Sequence, residues 1–205
     1  MDAFDKELIS ACYVSSLSGE DPVEIIRKKL SLNSDFVLTR IDALVKNGFV
    51  EKDRRMLTEL GRGSIRIVLA GGVFDIIHPG HIHTLRGAKA LGNVLVVVVA
   101  TDITAQKMKN RIPLHNMDLR KDLVNSLSMV DHAMVGHEGD IFKTVALVRP
   151  NIIALGYDQI HQEKFIIDGC KKIGVNVSIA RLQSPVPDIK SSKIENDYGK
   201  SIHGL

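Results

Sequence analysis

Residues 67–81 read IVLAGGVFDIIHPGH, and this stretch decides how the rest of the chain is interpreted. It begins as a short apolar run, turns at Gly71-Gly72 and ends in two histidines around a Pro-Gly corner. Proline is favourable at the first position of a helix, and the unpaired N–H groups of a helix start favour a phosphate. The stretch therefore predicts a strand, a turn and a helix, with His78 and His81 directed into one crevice that takes a nucleoside triphosphate.

Short apolar runs alternate with amphipathic stretches over residues 64–205. The runs are rich in Val and Ile and apolar on both faces, which is typical of buried parallel strands. They predict five strands, at 65–70, 94–100, 133–135, 152–155 and 175–180. The intervening stretches have apolar residues at helical spacing; in one of them Leu119, Leu123 and Leu127 form the predicted inward face. We expect a doubly wound, Rossmann-like α/β domain with strand order 3-2-1-4-5.

The first 63 residues have a different pattern. Helical spacing predicts three short helices at 5–17, 22–30 and 34–47, and residues 49–58 alternate around a charged corner like a two-stranded wing. We interpret residues 1–63 as a small winged helix-turn-helix domain, because the phrase Leu57 to Arg62 also resembles the end of such domains.

Charge disfavours DNA binding by this predicted domain. Residues 1–63 carry ten basic and eleven acidic side chains, a net charge of −1, whereas phosphate contacts supply most non-specific affinity for DNA. A local basic face is the alternative, formed by Arg40, Lys46, Arg54 and Arg55. Packing or dimerisation is the preferred role.

Composition sets wider bounds. The chain has 205 residues, of which 44% are apolar, enough for a substantial core. Its apolar run at 94–100 is too short to span a bilayer, and its acidic beginning differs from a signal peptide, so we expect a cytoplasmic protein. Cys12 and Cys170 lie far apart in predicted helices, which favours buried thiols over a disulfide or a metal site.

Further polar segments follow the predicted strands. In doubly wound sheets, ligands bind outside the carboxyl ends of the strands, where the winding reverses. Gly156, Tyr157 and Asp158 follow the fourth strand, and Ser191 and Ser192 follow the last one. We expect these residues to meet the two histidines, with Asp158 accepting hydrogen bonds from the ribose or the base.

Cationic side chains follow the second predicted strand. Lys107, Lys109 and Arg111 are candidates for holding the phosphate of an acceptor, and Arg120 on the next helix is a candidate for pairing with the triphosphate. A solvated charge is an equally good interpretation of Lys107 and Arg111. Asp75 has two interpretations as well, a functional carboxylate or one that braces the turn before the histidines.

Residues 65–194 resemble the cytidylyltransferase-like nucleotidyltransferases. That family has a Gly-x-Phe-Asp turn, a His-x-Gly-His signature and a terminal Ser-Ser/Thr-x-Ile segment, found here at 72–75, 78–81 and 191–194. The resemblance covers about 130 residues, and the combination of motifs is highly specific for nucleotidyl transfer.

The segments 138–143 and 149–159 are similar to the archaeal FAD synthase branch of that family, in which ATP adenylylates FMN. The second segment ends in Gly-Tyr-Asp-Gln, the phrase on which the similarity depends most. Two positions depart from the branch, since Val73 stands where Thr is usual and Asn110 where Gly is usual.

This resemblance implies direct transfer of AMP from ATP to FMN, giving FAD and pyrophosphate. His78, His81, Lys109 and Arg120 are the implied catalytic residues. The implied nucleotide contacts are Gly72, Val73, Phe74, His78, Gly80, His81, Gly156, Tyr157, Asp158, Ser191 and Ser192. A homodimer is common among such proteins. We expect Mg²⁺ or another divalent cation to bridge substrate phosphates, with few protein ligands.

Two alternatives stay open. One is a CTP-dependent cytidylyltransferase that acts on glycerol 3-phosphate or a similar phosphorylated alcohol. The other belongs to a different class: a nucleotide-sensing, DNA-binding regulator without turnover. Both histidines, Arg120 and the terminal serines argue against the regulator, because a sensor has no need of groups that contact a leaving group.

Overall fold

The computed structural model describes residues 1–156 and 162–183. Within this part of the chain, a parallel sheet has its strands in the order β3-β2-β1-β4-β5, which confirms the predicted order. The strands are β1 (Ile67–Gly72), β2 (Val94–Val99), β3 (His132–Val135), β4 (Ile152–Leu155) and β5 (Ser178–Arg181).

Helices cover both faces of the sheet. They are α5 (Pro79–Lys89), α6 (Asp102–Lys109), α7 (Met117–Asn125), α8 (Ile141–Val148) and α9 (Glu163–Lys172). Successive side chains of a strand point to opposite faces, and β1 shows the result. Leu69 lies in a core with Val145 of α8, whereas Val68 lies in a second core with Leu85 of α5.

The last strand differs from its prediction. We predicted a buried strand at 175–180, but β5 lies at the edge of the sheet and its residues are partly or fully exposed. Val175 donates its N–H to the carbonyl of Cys170 instead and so belongs to the end of α9. An edge position explains the exposure, because such a strand has a neighbour on one side alone.

The rotation of α7 also differs from its prediction. Leu119 and Leu123, predicted to face inward, are exposed, whereas Arg120 and Val124 are fully buried. The apolar spacing predicted that the leucines face the core. In the structure α7 is rotated about its axis by one residue, about 100°, relative to that prediction. The buried guanidinium therefore occupies a position where the sequence pattern predicted an apolar side chain.

The first 64 residues form α1 (Ala3–Ser18), α2 (Pro22–Leu30), α3 (Ser34–Lys46) and α4 (Glu59–Ser64). Side chains cap all four helices at their starts: Asp2 on α1, Asp21 on α2, Asn33 on α3 and Thr58 on α4. Between α3 and α4, Val50 and Leu57 form an isolated antiparallel bridge. The assignment of this segment to winged helix-turn-helix domains stays a prediction.

The amino-terminal helices pack onto the α8 side of the sheet. The hydroxyl of Tyr13 donates to the carbonyl oxygen of Val148 over 2.8 Å, and Arg62 donates to the same oxygen, also over 2.8 Å. The Arg62 guanidinium also lies 4.7 Å from the centre of the Tyr13 ring, within cation–π range. One continuous apolar core joins Leu8 and Tyr13 to Leu69 and Val145. The two predicted domains therefore share a core.

Ion pairs occupy part of the candidate basic face. Arg40 pairs with Asp2 and Asp5, and Arg54 pairs with Asp42. Carboxylates that neutralise these guanidinium groups reduce the positive potential available to a nucleic acid.

Both cysteines are buried and free, as predicted. Burial raises the pKa of the Cys12 thiol to about 12. None of the helices described here is both long enough and apolar enough to cross a membrane.

The close approach of Gly61 to Phe49 generates a stability prediction. A Cβ at position 61 would lie 1.9 Å from the carbonyl oxygen of Phe49, whereas one at position 63, in the same helix, would meet nothing within 4 Å. We expect Gly61→Ala to lower the free energy of unfolding by about 2 kcal/mol or more, because backbone must move. Gly63→Ala should raise it by about 0.5 kcal/mol. Urea unfolding measures both, and equal effects would contradict the close contact.

Candidate active site

The turn after β1 has a strained shape. Phe74 has a φ of 53°, which is rare for a bulky residue, and its ring folds back over Gly72. A Cβ at position 72 would lie 2.9 Å from that ring, so glycine is needed there. The Phe74 ring in turn contacts His81, with 5.2 Å between ring centroids. The turn thus connects β1 to α5 and packs the Phe74 ring against the His81 imidazole.

The two histidines meet at the start of α5, as predicted. His78 is the N-cap residue, His81 lies in the first turn, and their ring centroids are 3.9 Å apart. The Nδ1 atoms of both rings are buried and have no hydrogen-bond partner among the described residues. Buried polar atoms are normally satisfied, so these two are available to a ligand.

Burial favours the neutral form of both imidazoles. Burial lowers the pKa of His81 to about 4, with further lowering by the charges of His78 and Lys109. Burial and the Lys109 charge also lower the pKa of His78. An anion bound here would oppose these effects, so the site is suited to a polyphosphate.

Lys107 and Lys109 lie in the exposed last turn of α6, and Asn110 is the C-cap residue of that helix. Asn110 has a φ of 55°, in the left-handed region that Gly and Asn tolerate best. The presence of Asn110 where Gly is usual in the branch that the sequence resembles therefore has a physical explanation, since Asn can adopt the conformation that Gly would.

Asp75 braces a different loop from the expected one. Its buried carboxylate accepts hydrogen bonds from the N–H groups of Leu114 (2.8 Å) and His115 (3.4 Å), and it pairs with Arg111 over 2.7 Å. The carboxylate thus ties the turn after β1 to residues 111–115. Arg111, predicted to hold an acceptor phosphate, is oriented by this ion pair.

The structure places Arg120 elsewhere than predicted. Its guanidinium is fully buried and donates to the carbonyl oxygens of Val73 (2.6 Å), Ala100 (2.9 Å) and His115 (2.9 Å). It also pairs with Asp102 over 2.8 Å. These partners occupy the side chain inside the protein, so in this conformation it ties together the ends of β1 and β2 and does not face the crevice.

A cavity of about 390 Å³ opens at the carboxyl ends of the strands. A crevice at this edge of the sheet was predicted, but its lining by residues that follow β2 and β3 was not. Their positions at the carboxyl ends of predicted strands could have identified these residues as candidates from the sequence. Its lining includes Gly72, Ala100, Thr101, Thr104, Met108, Gly136, His137, Asp140, Ile141 and Gln162.

The remaining predicted site residues lie partly inside and partly outside the described part of the chain. Gly72 is the last residue of β1, and Val73 and Phe74 follow it in the turn. Gly80 lies in the first turn of α5, and Gly156 directly follows β4. Tyr157, Asp158, Ser191 and Ser192 lie outside the described residues. Within residues 1–156 and 162–183, His, Cys, Asp and Glu form no group of three or more that could hold a metal ion.

Comparison with known proteins points to one family. The sequence profile described as "Cytidylyltransferase-like" matches residues 69–197. The helices α1 to α4 lie outside the match.

Curated relatives from archaea are similar over the same length of chain. An FAD synthase from Aciduliprofundum boonei is 52% identical over 116 residues, which are 57% of this chain and 77% of the relative. An FAD synthase from Thermoplasma acidophilum is 48% identical over 127 residues, 62% of this chain and 89% of the relative.

A solved structure is similar as well. The crystal structure of "the lipopolysaccharide core biosynthesis protein" from Thermoplasma volcanium is 47% identical and superposes with a TM-score of 0.56. The match covers 58% of this chain and 98% of the other.

The buried position of Arg120 generates a prediction. We expect Arg120→Met to lower the free energy of unfolding by about 3 kcal/mol, because it leaves three carbonyl oxygens and Asp102 without their donor. The control is Lys121→Met, whose side chain forms surface pairs with Asp118 and Asp122 and should change stability by no more than about 0.5 kcal/mol. The prediction would be contradicted if both variants had the same free energy of unfolding and Arg120→Met alone lost its affinity for ATP. The guanidinium would then contact the triphosphate.

Proposed function

The chain belongs to the cytidylyltransferase-like family of nucleotidyltransferases, and from this premise we propose that it is an FAD synthase that transfers AMP from ATP to FMN. The main support for this reaction is the pair of imidazoles at the start of α5, each with a buried Nδ1 that has no hydrogen-bond partner among the described residues. The archaeal relatives, named FAD synthases, support FMN as the acceptor.

The reaction is an in-line displacement at the α-phosphorus of ATP. An oxygen of the FMN phosphate forms the new P–O bond, while the bond to the oxygen that bridges the α- and β-phosphates breaks. That oxygen leaves with the electron pair, as part of pyrophosphate. Such a step needs positioning and charge stabilisation more than a covalent nucleophile.

His78 and His81 act on the leaving group. Neutral imidazoles donate N–H hydrogen bonds to the β- and γ-phosphate oxygens and stabilise the charge that develops on the bridging oxygen. The N-terminus of α5 adds its partial positive charge at the same point. Bound phosphate raises the pKa of both histidines and strengthens these bonds.

The cations at the end of α6 hold the acceptor. The charge of Lys109 lowers the pKa of both histidines, and this influence supports its assignment to the acceptor phosphate beside them. Lys107 and Arg111 add positive charge for the FMN phosphate. Arg120 is a positioning residue, since its hydrogen bonds hold Val73 and Ala100 at the strand ends.

A divalent cation, which we expect to be Mg²⁺, would bind together with the nucleotide phosphates. The described side chains offer no cluster of carboxylates, and Mg²⁺ prefers substrate phosphates and water to an all-protein cage. The ion would neutralise phosphate charge beside His78 and His81. Asp158, Ser191 and Ser192 lie outside the described residues and keep their predicted roles as nucleotide contacts.

We further propose that the protein is a homodimer and acts in the cytoplasm. The exposed apolar side chains of Leu119 and Leu123 lie one turn apart on the outer face of α7, which supports a contact between copies of the chain. ATP as the substrate favours the cytoplasm. The amino-terminal helices serve in packing rather than in binding DNA.

A substrate panel tests the proposed function. Purified protein is given ATP or CTP together with FMN, glycerol 3-phosphate, phosphocholine or phosphopantetheine, and pyrophosphate and the products are measured. We expect ATP and FMN to give FAD. Turnover of CTP with glycerol 3-phosphate would support the cytidylyltransferase alternative, and duplex DNA binding without any turnover would support the regulator.

The role of His81 is tested in the same assay. His81→Ala should lower kcat by about 100- to 1000-fold, because a preorganised donor to the transition state is lost. The control is His83→Ala, since His83 is exposed on the same helix and should leave kcat unchanged. A normal kcat with a raised KM in His81→Ala would contradict transition-state stabilisation.

A further inference from the structure

The cavity at the strand ends lies on the other face of the sheet from α5. Its floor includes Leu69, Ile153 and Val145, which belong to the core shared with α8. Leu85 of α5 and the Phe74 ring beneath His81 belong to the opposite core. The cavity and the imidazole pair therefore approach the same edge of the sheet from opposite sides.

Two features join the cavity to the histidines. Gly71 and Gly72 at the end of β1 line the cavity, and the chain continues from them through the turn to α5. On α6, Met108 lines the cavity, and the next residue is Lys109, whose charge acts on both imidazoles. A ligand that fills the cavity thus has a short path past Met108 to the cationic end of α6.

We propose that this cavity holds the isoalloxazine ring of the flavin acceptor, an inference that rests on the proposed function. A volume of about 390 Å³ and a mostly apolar lining suit a flat aromatic ring system. The ring lies against Met108 and Ile141, and the ribityl chain leads its phosphate to Lys109.

The direction of the reaction favours the flavin over the adenine of ATP as the occupant. An in-line displacement places the attacking and leaving oxygens on opposite sides of the α-phosphorus. The leaving pyrophosphate lies with the histidines at the α5 side. The acceptor then approaches from the opposite side of the sheet edge, where the cavity is.

A few fixed polar groups complete the lining. The Thr144 hydroxyl lies 3.0 Å from both the N–H nitrogen and the Nδ1 of His137, which holds the imidazole in place at the cavity. Thr101 and Thr104 are also bound to each other, over 3.0 Å between hydroxyls. A small number of oriented polar groups in an apolar wall gives a ligand pocket its orientation and specificity, as the polar edge of a flavin requires.

Matched pairs of variants on two helices test the proposal. On α8, Ile141 lines the cavity and is 44% exposed, whereas Leu147 does not line it and is 53% exposed. On α6, Met108 lines it and is 54% exposed, whereas Ile103 does not and is 48% exposed. All four side chains are at the surface, so replacement by Ser should leave the protein folded, and thermal unfolding checks this.

The measurements are the Kd of FMN and of riboflavin, from quenching of flavin fluorescence, and the Kd of ATP in equilibrium binding. Riboflavin reports on the ring without the phosphate. We expect Ile141→Ser and Met108→Ser to raise both flavin Kd values about tenfold, because apolar contact with the ring is lost. Their Kd for ATP should not change, and Leu147→Ser and Ile103→Ser should change none of the three.

Two results would overturn the assignment of the cavity. One is a raised Kd for ATP with unchanged flavin binding, which would make this the adenine site. The other is flavin binding in the cavity variants equal to that of their controls. If the wild-type protein forms FAD, either result removes the cavity assignment alone. A wild-type protein that neither binds FMN nor forms FAD would remove the proposed function with it.

Discussion

The buried guanidinium of Arg120 is the interaction on which the site depends. A charge removed from water is costly unless nearly all its donors are satisfied, and here they bond to Val73, Ala100 and His115 and pair with Asp102. These partners come from the turn after β1, the end of β2 and the loop before α7. Since each segment loses a bond if it moves, one side chain holds the strand ends and their loops in a single arrangement.

With the strand ends held, the two faces of the sheet take different tasks. Asp75 adds a second tie, from the turn after β1 to residues 111–115. The α5 face carries His78 and His81, the two imidazoles that we propose for binding phosphate. On the α8 face, apolar side chains leave a cavity between the helices. Gly72 separates them without a side chain, so substrates on the two faces can approach each other closely.

Much of the fold was predictable because its signals are local. Apolar runs of strand length alternate with helical spacing, and both periods follow from backbone geometry. The start of α5 was also predictable, since Pro79 and the two histidines act within one turn of helix. The rotation of α7 was not: its leucines satisfy the apolar pattern, but the carbonyl oxygens that bind Arg120 belong to residues as far as 47 positions away.

The strand order, the meeting of His78 with His81 and the resemblance to nucleotidyltransferases were predictable from the amino-acid sequence. Each of these depends on residues close together in the chain or on the general rules of parallel sheets. The burial of Arg120, the binding of residues 111–115 by Asp75 and the cavity beside Met108 became known from the folded structure alone. The reason is that burial and enclosed space depend on which elements pack together, and no single segment carries that information.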